Sequence, residues 1–417
     1  MRGVKPISPW QFAVFRIVLG LYLTVHFAFL LPYGAELFSS RGVLPDPALN
    51  PTHGLFPDPL DVWGSPSFVR FFLLVLVALS VAFALGLARR TVALLLWFGW
   101  AALFNRNNLI ANPSIPYVGL LLLATLLVPP GEPLAIRFGR PRERSAAWAF
   151  PASVYGVVWL LFAAGYTYSG CVKLGSPSWV DGSALRHVLA NPLARPGPVR
   201  DLLLALPPPW LRLATWAALA CELLPLPLSF SRRTRAWAWL ATAGLQLGIL
   251  AMVNFADLTF GMLMVHLFLF DPEWLPSRQV AGAQQLVLYD GVCGLCNRAV
   301  QFLLEEDRGG VLSFAPLQGE TAAALLARRE REPELRSLVF VRDRGTPRER
   351  MLVRSAGTLA ILSTVGGFWR LAGPLRIVPP PLRDQVYDWI ARHRYAWWGR
   401  SEACVLPAPE VRLRFLP

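Results

Sequence analysis

Long apolar runs separated by short polar loops dominate the first 280 residues of the chain. A helix needs roughly 20 apolar residues to cross about 30 Å of hydrocarbon. The pattern predicts about eight membrane-spanning helices, at Trp10–Leu31, Phe68–Leu87, Thr91–Phe104, Tyr117–Val128, Trp148–Gly170, Leu211–Phe230, Ala236–Val253 and Leu258–Phe270. The third, fourth and eighth runs are short, so they are either half-helices or helices that extend into the polar segments beside them.

The distribution of basic residues around these runs predicts their orientation. The first run is too long for the core of a cleavable signal peptide. Every second loop is basic, for example at Arg89 and Arg90, whereas the loop 32–66 is acidic. Cytoplasmic loops carry an excess of Lys and Arg. We therefore expect a multi-pass integral protein of a bacterial inner membrane, with both termini, and hence the C-terminal domain, in the cytoplasm.

The pattern changes near residues 277–283, where the long apolar runs end. Shorter runs then predict strand, helix, strand, helix, two strands and two helices, at Gln285–Tyr289, Asn297–Glu306, Leu312–Ala315, Thr321–Arg331, Ser337–Val341, Arg350–Val353, Ala356–Val365 and Leu382–His393. This order is typical of an α/β layer with a mixed sheet. The sequence thus predicts a multi-pass α-helical membrane domain, residues 1–280, followed by a small α/β domain, residues 284–417.

Composition and charge agree with a membrane protein. The chain is 54% hydrophobic and 16% charged, whereas soluble domains are about 25% charged. The net charge of +14 raises the question of nucleic-acid binding. Much of the basic charge, however, lies in short clusters between apolar runs. The predicted partner is therefore the lipid bilayer and not nucleic acid.

A Cys-x-x-Cys pair carries the most specific chemistry in the sequence. Asp290 ends the first predicted strand, a glycine turn follows, and a helix begins at Cys293 and Cys296. The N-terminus of a helix favours an anion, so we expect a lowered pKa for Cys293. Cys293 would attack a disulfide and Cys296, one turn later, would resolve it. Asp290 is placed to tune or relay the proton of the attacking thiol. The exchange itself requires no cofactor.

Other uses of the cysteines are weaker. A zinc site needs a second pair of ligands, and His393 and Cys404 lack the spacing of such a pair. Haem attachment needs a His after the second Cys, where the chain has Asn297. Two packed cysteines without chemistry remain an alternative to redox work. Cys404 is either a buried residue or a third redox thiol.

On these residues the C-terminal region, about 285–407, resembles the DCC family of thiol-disulfide oxidoreductases, whose signature is Asp-x-x-Cys-x-x-Cys. Further matches are Asp307, Phe314–Leu317, Ser355, Arg383, Asp384, Arg392–Tyr395, Gly399 and Arg400. The resemblance implies a thioredoxin-like fold. It also implies thiol–disulfide exchange with a thiol-containing protein or small molecule.

A second constellation surrounds Lys173, just past the fifth apolar run and followed by Trp179. A lysine there can extend its ammonium group to the membrane interface. Alternatively, a dry pocket covered by Trp179 would lower its pKa enough for it to act as a base.

The stretch Ser169–Leu185 resembles the membrane domain shared by vitamin K-dependent γ-carboxylase and its bacterial relatives, the HTTM proteins. The resemblance implies that Lys173 occupies the position of the base that deprotonates vitamin K hydroquinone. The carboxylase's Asn-His-Ser segment corresponds to Asn112-Pro113-Ser114, where proline replaces histidine. Glutamate carboxylation is therefore not expected, whereas binding of a quinone or another lipid-soluble molecule is.

Four polar residues lie in or beside the apolar runs, namely Arg16, His26, Asp257 and His266. Such residues face the interior of a helix bundle and often mark a site, although they also form internal pairs. The polar segment Asn105–Pro116 is either an ordinary loop or a lining element of an internal site.

Three functions remain open from the sequence. The favoured one is a membrane-tethered thiol-disulfide oxidoreductase, with a quinone as possible electron partner. The second is an enzyme or binding protein for a lipophilic substrate, in which the cysteines are regulatory or structural. The third is a transporter or scaffold, although the chain lacks the inverted repeat of many transporters.

Overall fold

The chain forms two compact units in the computed structural model, which describes residues 7–136, 148–277, 283–327, 338–400 and 409–417. The units are Met1–Phe270 and Asp271–Pro417. The division falls before the expected residue 280 because the segment after Phe270 packs within the second unit. The amide of Gly367 donates to the carbonyl of Leu275 at 2.5 Å.

The first unit is helical. Its longer helices are α1 Pro9–Leu30, α4 Pro66–Leu85, α5 Arg89–Arg106, α6 Ser114–Leu127, α7 Ala152–Leu174, α11 Pro208–Leu223, α13 Arg232–Met252 and α14 Ala256–Leu269. Shorter ones are α2 Gly34–Phe38, α3 Pro59–Val62, α8 Pro177–Val180, α9 Ala184–Ala190, α10 Pro198–Leu204 and α12 Pro225–Leu228, with 3₁₀ turns at Pro47–Leu49 and Asn108–Ile110.

Every predicted span overlaps one of the longer helices over most of its length. The third run extends into the polar segments beside it, as α5 shows. Within the described ranges, α1, α4 and α7 are long and apolar enough to cross a membrane. The pair α10 and α11, bent by 113°, would add a fourth span if it acts as one. Apolar helices are thus confirmed, whereas the number of eight spans stays a prediction.

Local signals fix where the longest helices begin. Ser8 precedes α1 and accepts a hydrogen bond from the amide of Gln11, and Pro9 occupies the first helical position. Ser65 caps α4 in the same way, ahead of Pro66. A side-chain acceptor satisfies an otherwise unpaired amide, and proline suits the first turn. Gly86 ends α4 with a positive φ of 77°.

Two of the four polar residues in the apolar runs form internal pairs. Arg16 is fully buried and lies 3.9 Å from Glu132, which also binds Arg89 at 2.8 Å. His266 contacts the hydroxyl of Thr242 and the carbonyl of Met262. For Arg16 and His266 the structure therefore favours internal pairing. His26 and Asp257 are treated below.

The second unit contains a mixed four-stranded sheet. Its strands are β1 Gln284–Tyr289, β2 Leu312–Pro316, β3 Val339–Arg344 and β4 Arg350–Val353. Its helices are α15 Gly294–Glu306, α16 Glu320–Leu326, α17 Arg354–Val365 and α18 Pro380–Trp398, with 3₁₀ segments at Pro272–Trp274, Gly367–Ile377 and Pro409–Arg414.

The central strand β1 explains why the sheet has a core on both faces. The strand order is β2-β1-β3-β4, with β1 parallel to β2 and antiparallel to β3. Side chains alternate along a strand, so Val287 and Tyr289 join the cluster that contains Cys293. Leu286 and Leu288 join the opposite cluster. A strand buried on both faces requires the continuous apolar run seen in the sequence.

Candidate functional site

The Cys-x-x-Cys pair lies at the N-terminus of α15, directly after β1. Cys293 is the N-cap residue, with extended backbone, and its amide donates to the carbonyl of Asp290 at 3.2 Å. Its carbonyl accepts from the amide of Asn297 at 3.0 Å. Cys293 and Cys296 are both free thiols. The predicted placement at the start of a helix is therefore what the structure shows.

The two thiols interact with each other and are shielded from solvent. Cys293 is 0% exposed and Cys296 is 6% exposed. Burial, together with the adjacent Cys293 side chain, raises the pKa of the Cys296 thiol to about 12. Cys296 therefore remains protonated at neutral pH. This suits a resolving thiol, which should not compete for the first attack.

A short segment at the end of α18, Trp398–Arg400, lies over Cys293 and is called the strap here. The amide of Gly294 donates to the carbonyl of Gly399 at 3.2 Å, and Cys293 pairs with Arg400 as an isolated β-bridge. Arg400 also lies over the ring of Tyr395, 4.7 Å from its centroid. Gly399 has a φ of 73°, which favours glycine at this turn. The strap is therefore attached to the backbone of Cys293 and Gly294, next to the buried thiol pair.

The strap can be tested at Gly294, which has no room for a larger side chain. A Cβ there would lie 2.2 Å from the carbonyl oxygen of Trp398. We expect Gly294→Ala to displace the strap and to increase the rate of Cys293 alkylation by iodoacetamide several-fold, measured by mass spectrometry.

The matched control for this change is Gly373→Ala. That glycine lies in the same unit, and an added Cβ would meet no atom within 4 Å. Its alkylation rate should equal that of the wild type. Equal rates in both variants, with unchanged thermal stability, would show that the strap does not limit access.

Asp290 is held by several donors from distant parts of the unit. It accepts from Tyr395 at 2.5 Å, from Arg394 at 3.0 Å and from Gln318 at 3.0 Å. Burial opposes the charged form, but the hydrogen bonds from Tyr395 and Gln318 and the charge of Arg394 lower the pKa of Asp290 below its usual value. Asp290 is therefore ionised and is held in place by its donors. This geometry favours a role in tuning the nearby thiols over a role as a proton relay.

Arg394 was not singled out as a site residue from the sequence, although it belongs to the tail that resembles the family. Its side chain is 8% exposed, and that of Asp290 is 7% exposed. The Arg394 charge lowers the pKa of the nearby Cys296 thiol, although burial dominates. Arg394 therefore places a positive charge near the thiol pair, about one hundred positions away in sequence.

Lys173 lies in the other unit and has defined partners. Its ammonium group forms an ion pair with Glu222, donates to the hydroxyl of Ser169 at 3.1 Å and lies 5.0 Å from the centroid of Trp179. The position of Trp179 over Lys173 agrees with the interpretation of a covered pocket. No local pattern in the sequence indicated Glu222 as the partner of Lys173. The role of Lys173 stays a prediction. Cys404 lies outside the described residues.

Comparison with known proteins agrees with this geometry. The model of the family described as DCC1-like thiol-disulfide oxidoreductase matches residues 287–400. The uncharacterized protein YuxK of Bacillus subtilis is 39% identical over 146 residues, which cover 35% of this chain and 98% of YuxK. A chloroplastic DCC family protein of Arabidopsis thaliana is 37% identical over 123 residues, 29% of this chain and 69% of that protein. No solved structure matches the chain.

Through its second unit, the chain belongs to the DCC1-like thiol-disulfide oxidoreductase family. The matched region contains the two thiols, Asp290, Arg394 and the strap. Membership of this family supports a thiol redox role for this unit.

Proposed function

We propose that the protein is a membrane-tethered thiol-disulfide oxidoreductase. The observation that carries the proposal is the placement of two interacting thiols at the first turn of α15 in the family-matched unit. The thioredoxin-like fold that the resemblance implies is supported by the mixed sheet with β1 between β2 and β3. The apolar helices α1, α4 and α7 support the tether.

The exchange uses only the two cysteines and a partner disulfide. The Cys293 thiolate attacks one partner sulfur, so a mixed disulfide forms and the other partner sulfur leaves as a thiolate. The negative charge next to Cys296 is then gone, which favours its deprotonation. The Cys296 sulfur attacks Cys293, the second partner sulfur leaves, and the enzyme holds the disulfide while the partner is a dithiol. The reverse sequence oxidises a partner dithiol.

The membrane unit would supply or accept the two electrons. A quinone takes two electrons and two protons from the dithiol and becomes a quinol, which leaves the Cys293–Cys296 disulfide. The basic loops of the sequence support a cytoplasmic location for the second unit, where the glutathione pool would keep the pair reduced. In that compartment the dithiol would act as a reductant and would pass its two electrons either to the quinone or to a partner disulfide.

The proposal is tested with the full chain in detergent, by the reduction of insulin with dithiothreitol as electron donor. We expect turnover above the rate with dithiothreitol alone for the wild type and none above that rate for Cys293→Ser/Cys296→Ser, because this variant lacks both thiols of the first turn of α15. The matched control is Cys171→Ser, which removes an exposed thiol of the helical unit. Turnover that survives in the double variant would refute the proposal.

A further inference from the structure

A cavity of about 570 Å³ lies within the helical unit, between α1, α5, α6 and α14. Its volume is in the range of about 300–1,000 Å³ that small-molecule sites occupy. Most of its lining is apolar and rich in aromatic side chains, at Phe29, Trp100, Phe104, Phe255 and Phe260. The polar segment Asn105–Pro116 contributes Ile110, Asn112 and Ile115 to the lining. These three residues favour the interpretation of the segment as a lining element of an internal site.

The polar groups of the cavity converge on Asp257. One carboxylate oxygen accepts from the hydroxyl of Tyr22 at 3.0 Å and contacts Nδ1 of His26 at 2.7 Å. The other oxygen accepts from the side-chain amide (Nδ2) of Asn112 at 3.1 Å. A carboxylate within an apolar bundle is costly and marks a functional site by default. Unlike Arg16 and His266, the pair of His26 and Asp257 lines a space large enough for a ligand.

The contact with Asp257 determines what His26 offers to a ligand. A carboxylate accepts a proton and does not donate one, so it holds the proton of neutral imidazole on Nδ1. Nε2 is then an unprotonated acceptor. Within the described part of the chain, no hydrogen bond is made to Nε2 of His26. The cavity thus presents a hydrogen-bond acceptor that matches a ligand hydroxyl.

The other end of the cavity opens at the outer face of α1. Val25 and Phe29 line the cavity and are 68% and 71% exposed. An apolar tail that leaves the cavity there would continue along the apolar outer surface of the helical unit. A phospholipid head group does not suit the polar end, because its phosphate would be repelled by Asp257.

We infer that this cavity binds a lipid-soluble quinol or related phenol, whose hydroxyl donates to Nε2 of His26. The aromatic lining packs on the flat ring, and the opening at Val25 accommodates the tail. The inference rests on the proposed function for the identity of the lipid partner, and it locates that partner at His26 and Asp257, with Lys173 outside the lining.

The test uses decylubiquinol and decylubiquinone as probes. The full chain with Cys293→Ser/Cys296→Ser is titrated anaerobically by calorimetry at pH 8, so that the redox pair cannot react with the probe. We expect the quinol to bind roughly tenfold more tightly than the quinone, which is the effect of one hydrogen bond. Because this variant lacks only the redox pair, an absence of binding here would leave the result of the insulin assay standing, and a negative insulin assay would leave this binding result standing.

Two substitutions test the polar end. In Asp257→Asn the new side-chain amide can donate to Nδ1 of His26, so the imidazole proton is no longer fixed on Nδ1. This substitution should therefore abolish the preference for the quinol. His26→Gln should do the same. Glu222→Gln is the control, since it removes a carboxylate that binds Lys173 and does not line the cavity. A quinol preference that persists in Asp257→Asn and His26→Gln would overturn the assignment, as would a wild type that binds neither probe.

A substitution at the opening tests the location without touching the polar groups. Val25→Trp should obstruct the cavity and weaken the binding of both probes by at least roughly tenfold, the effect of losing one well-packed contact. Leu21→Trp is the matched control, because Leu21 lies one turn earlier on α1, is 55% exposed and is not part of the lining. Equal affinities in these two variants would overturn the location of the site.

Discussion

Cys296→Ser is expected to stop turnover and to leave a partner protein covalently attached to Cys293. The first attack needs only Cys293, which is at the helix N-terminus in this variant as in the wild type. The second step needs a sulfur at position 296, and a serine hydroxyl cannot displace a thiolate from a disulfide. The mixed disulfide therefore accumulates. Non-reducing electrophoresis followed by mass spectrometry of the complex measures it.

Cys293→Ser provides the matched comparison, since it should stop turnover without trapping a partner. The pKa of about 12 for Cys296 reflects the reduced pair, and this thiol is too weakly acidic to replace Cys293 as the attacking group at pH 7. Partner complexes trapped equally by both variants would contradict the assignment of the attacking and resolving thiols.

Arg394→Met is expected to cause a large loss of stability in the second unit. It leaves the Asp290 carboxylate buried without its cation, and breaking a buried ion pair on one side costs about 3 kcal/mol or more. The double variant Asp290→Asn/Arg394→Met should recover part of this loss, because neither charge then remains unpaired. Urea unfolding followed by circular dichroism measures both changes.

An exposed ion pair gives the control for this prediction. Asp388 contacts Arg354, with side chains 42% and 44% exposed, and Asp388→Asn should cost no more than about 1 kcal/mol. A similar loss in Asp388→Asn and Arg394→Met would contradict the structural role of the buried pair.

The buried pair of Asp290 and Arg394 also predicts a contribution to stability that is lost in acid. The folded pKa of Asp290 is below its unfolded value of about 4. The stability it contributes is therefore present above about pH 4 and is lost as the pH falls through the folded pKa. The Asp290→Asn variant should lack this part of the acid dependence.

Local pattern predicted the elements of the second unit well. The apolar run Gln285–Tyr289 and the amphipathic run Asn297–Glu306 correspond to β1 and α15, because strand and helix periodicity are both visible within a few residues. The last helix, predicted at Leu382–His393, extends to Pro380–Trp398. The 3₁₀ segment Gly367–Ile377 was not predicted, because its glycines and proline read as a loop.

Long-range contacts were beyond the sequence pattern. Nothing near Asp290 indicates that Arg394 and Tyr395 fold back onto it, and the strap over Cys293 joins positions about one hundred residues apart. Likewise, Asp257 was noted beside an apolar run and Asn112 within the polar segment Asn105–Pro116, but only the packing of α6 on α14 brings them together. Periodicity determines which face of an element is buried, whereas tertiary packing determines which polar groups meet.

The burial of the redox pair affects how its oxidation state should be measured. A bulky sulfhydryl reagent added to the native protein would react with the exposed Cys171 and would spare Cys293 and Cys296. A disulfide would give the same low count, so a titration under native conditions would report an oxidised protein even when both sulfurs carry hydrogen. Counting the thiols after denaturation, or measuring the mass of the intact chain by mass spectrometry, distinguishes a shielded thiol from a disulfide bond.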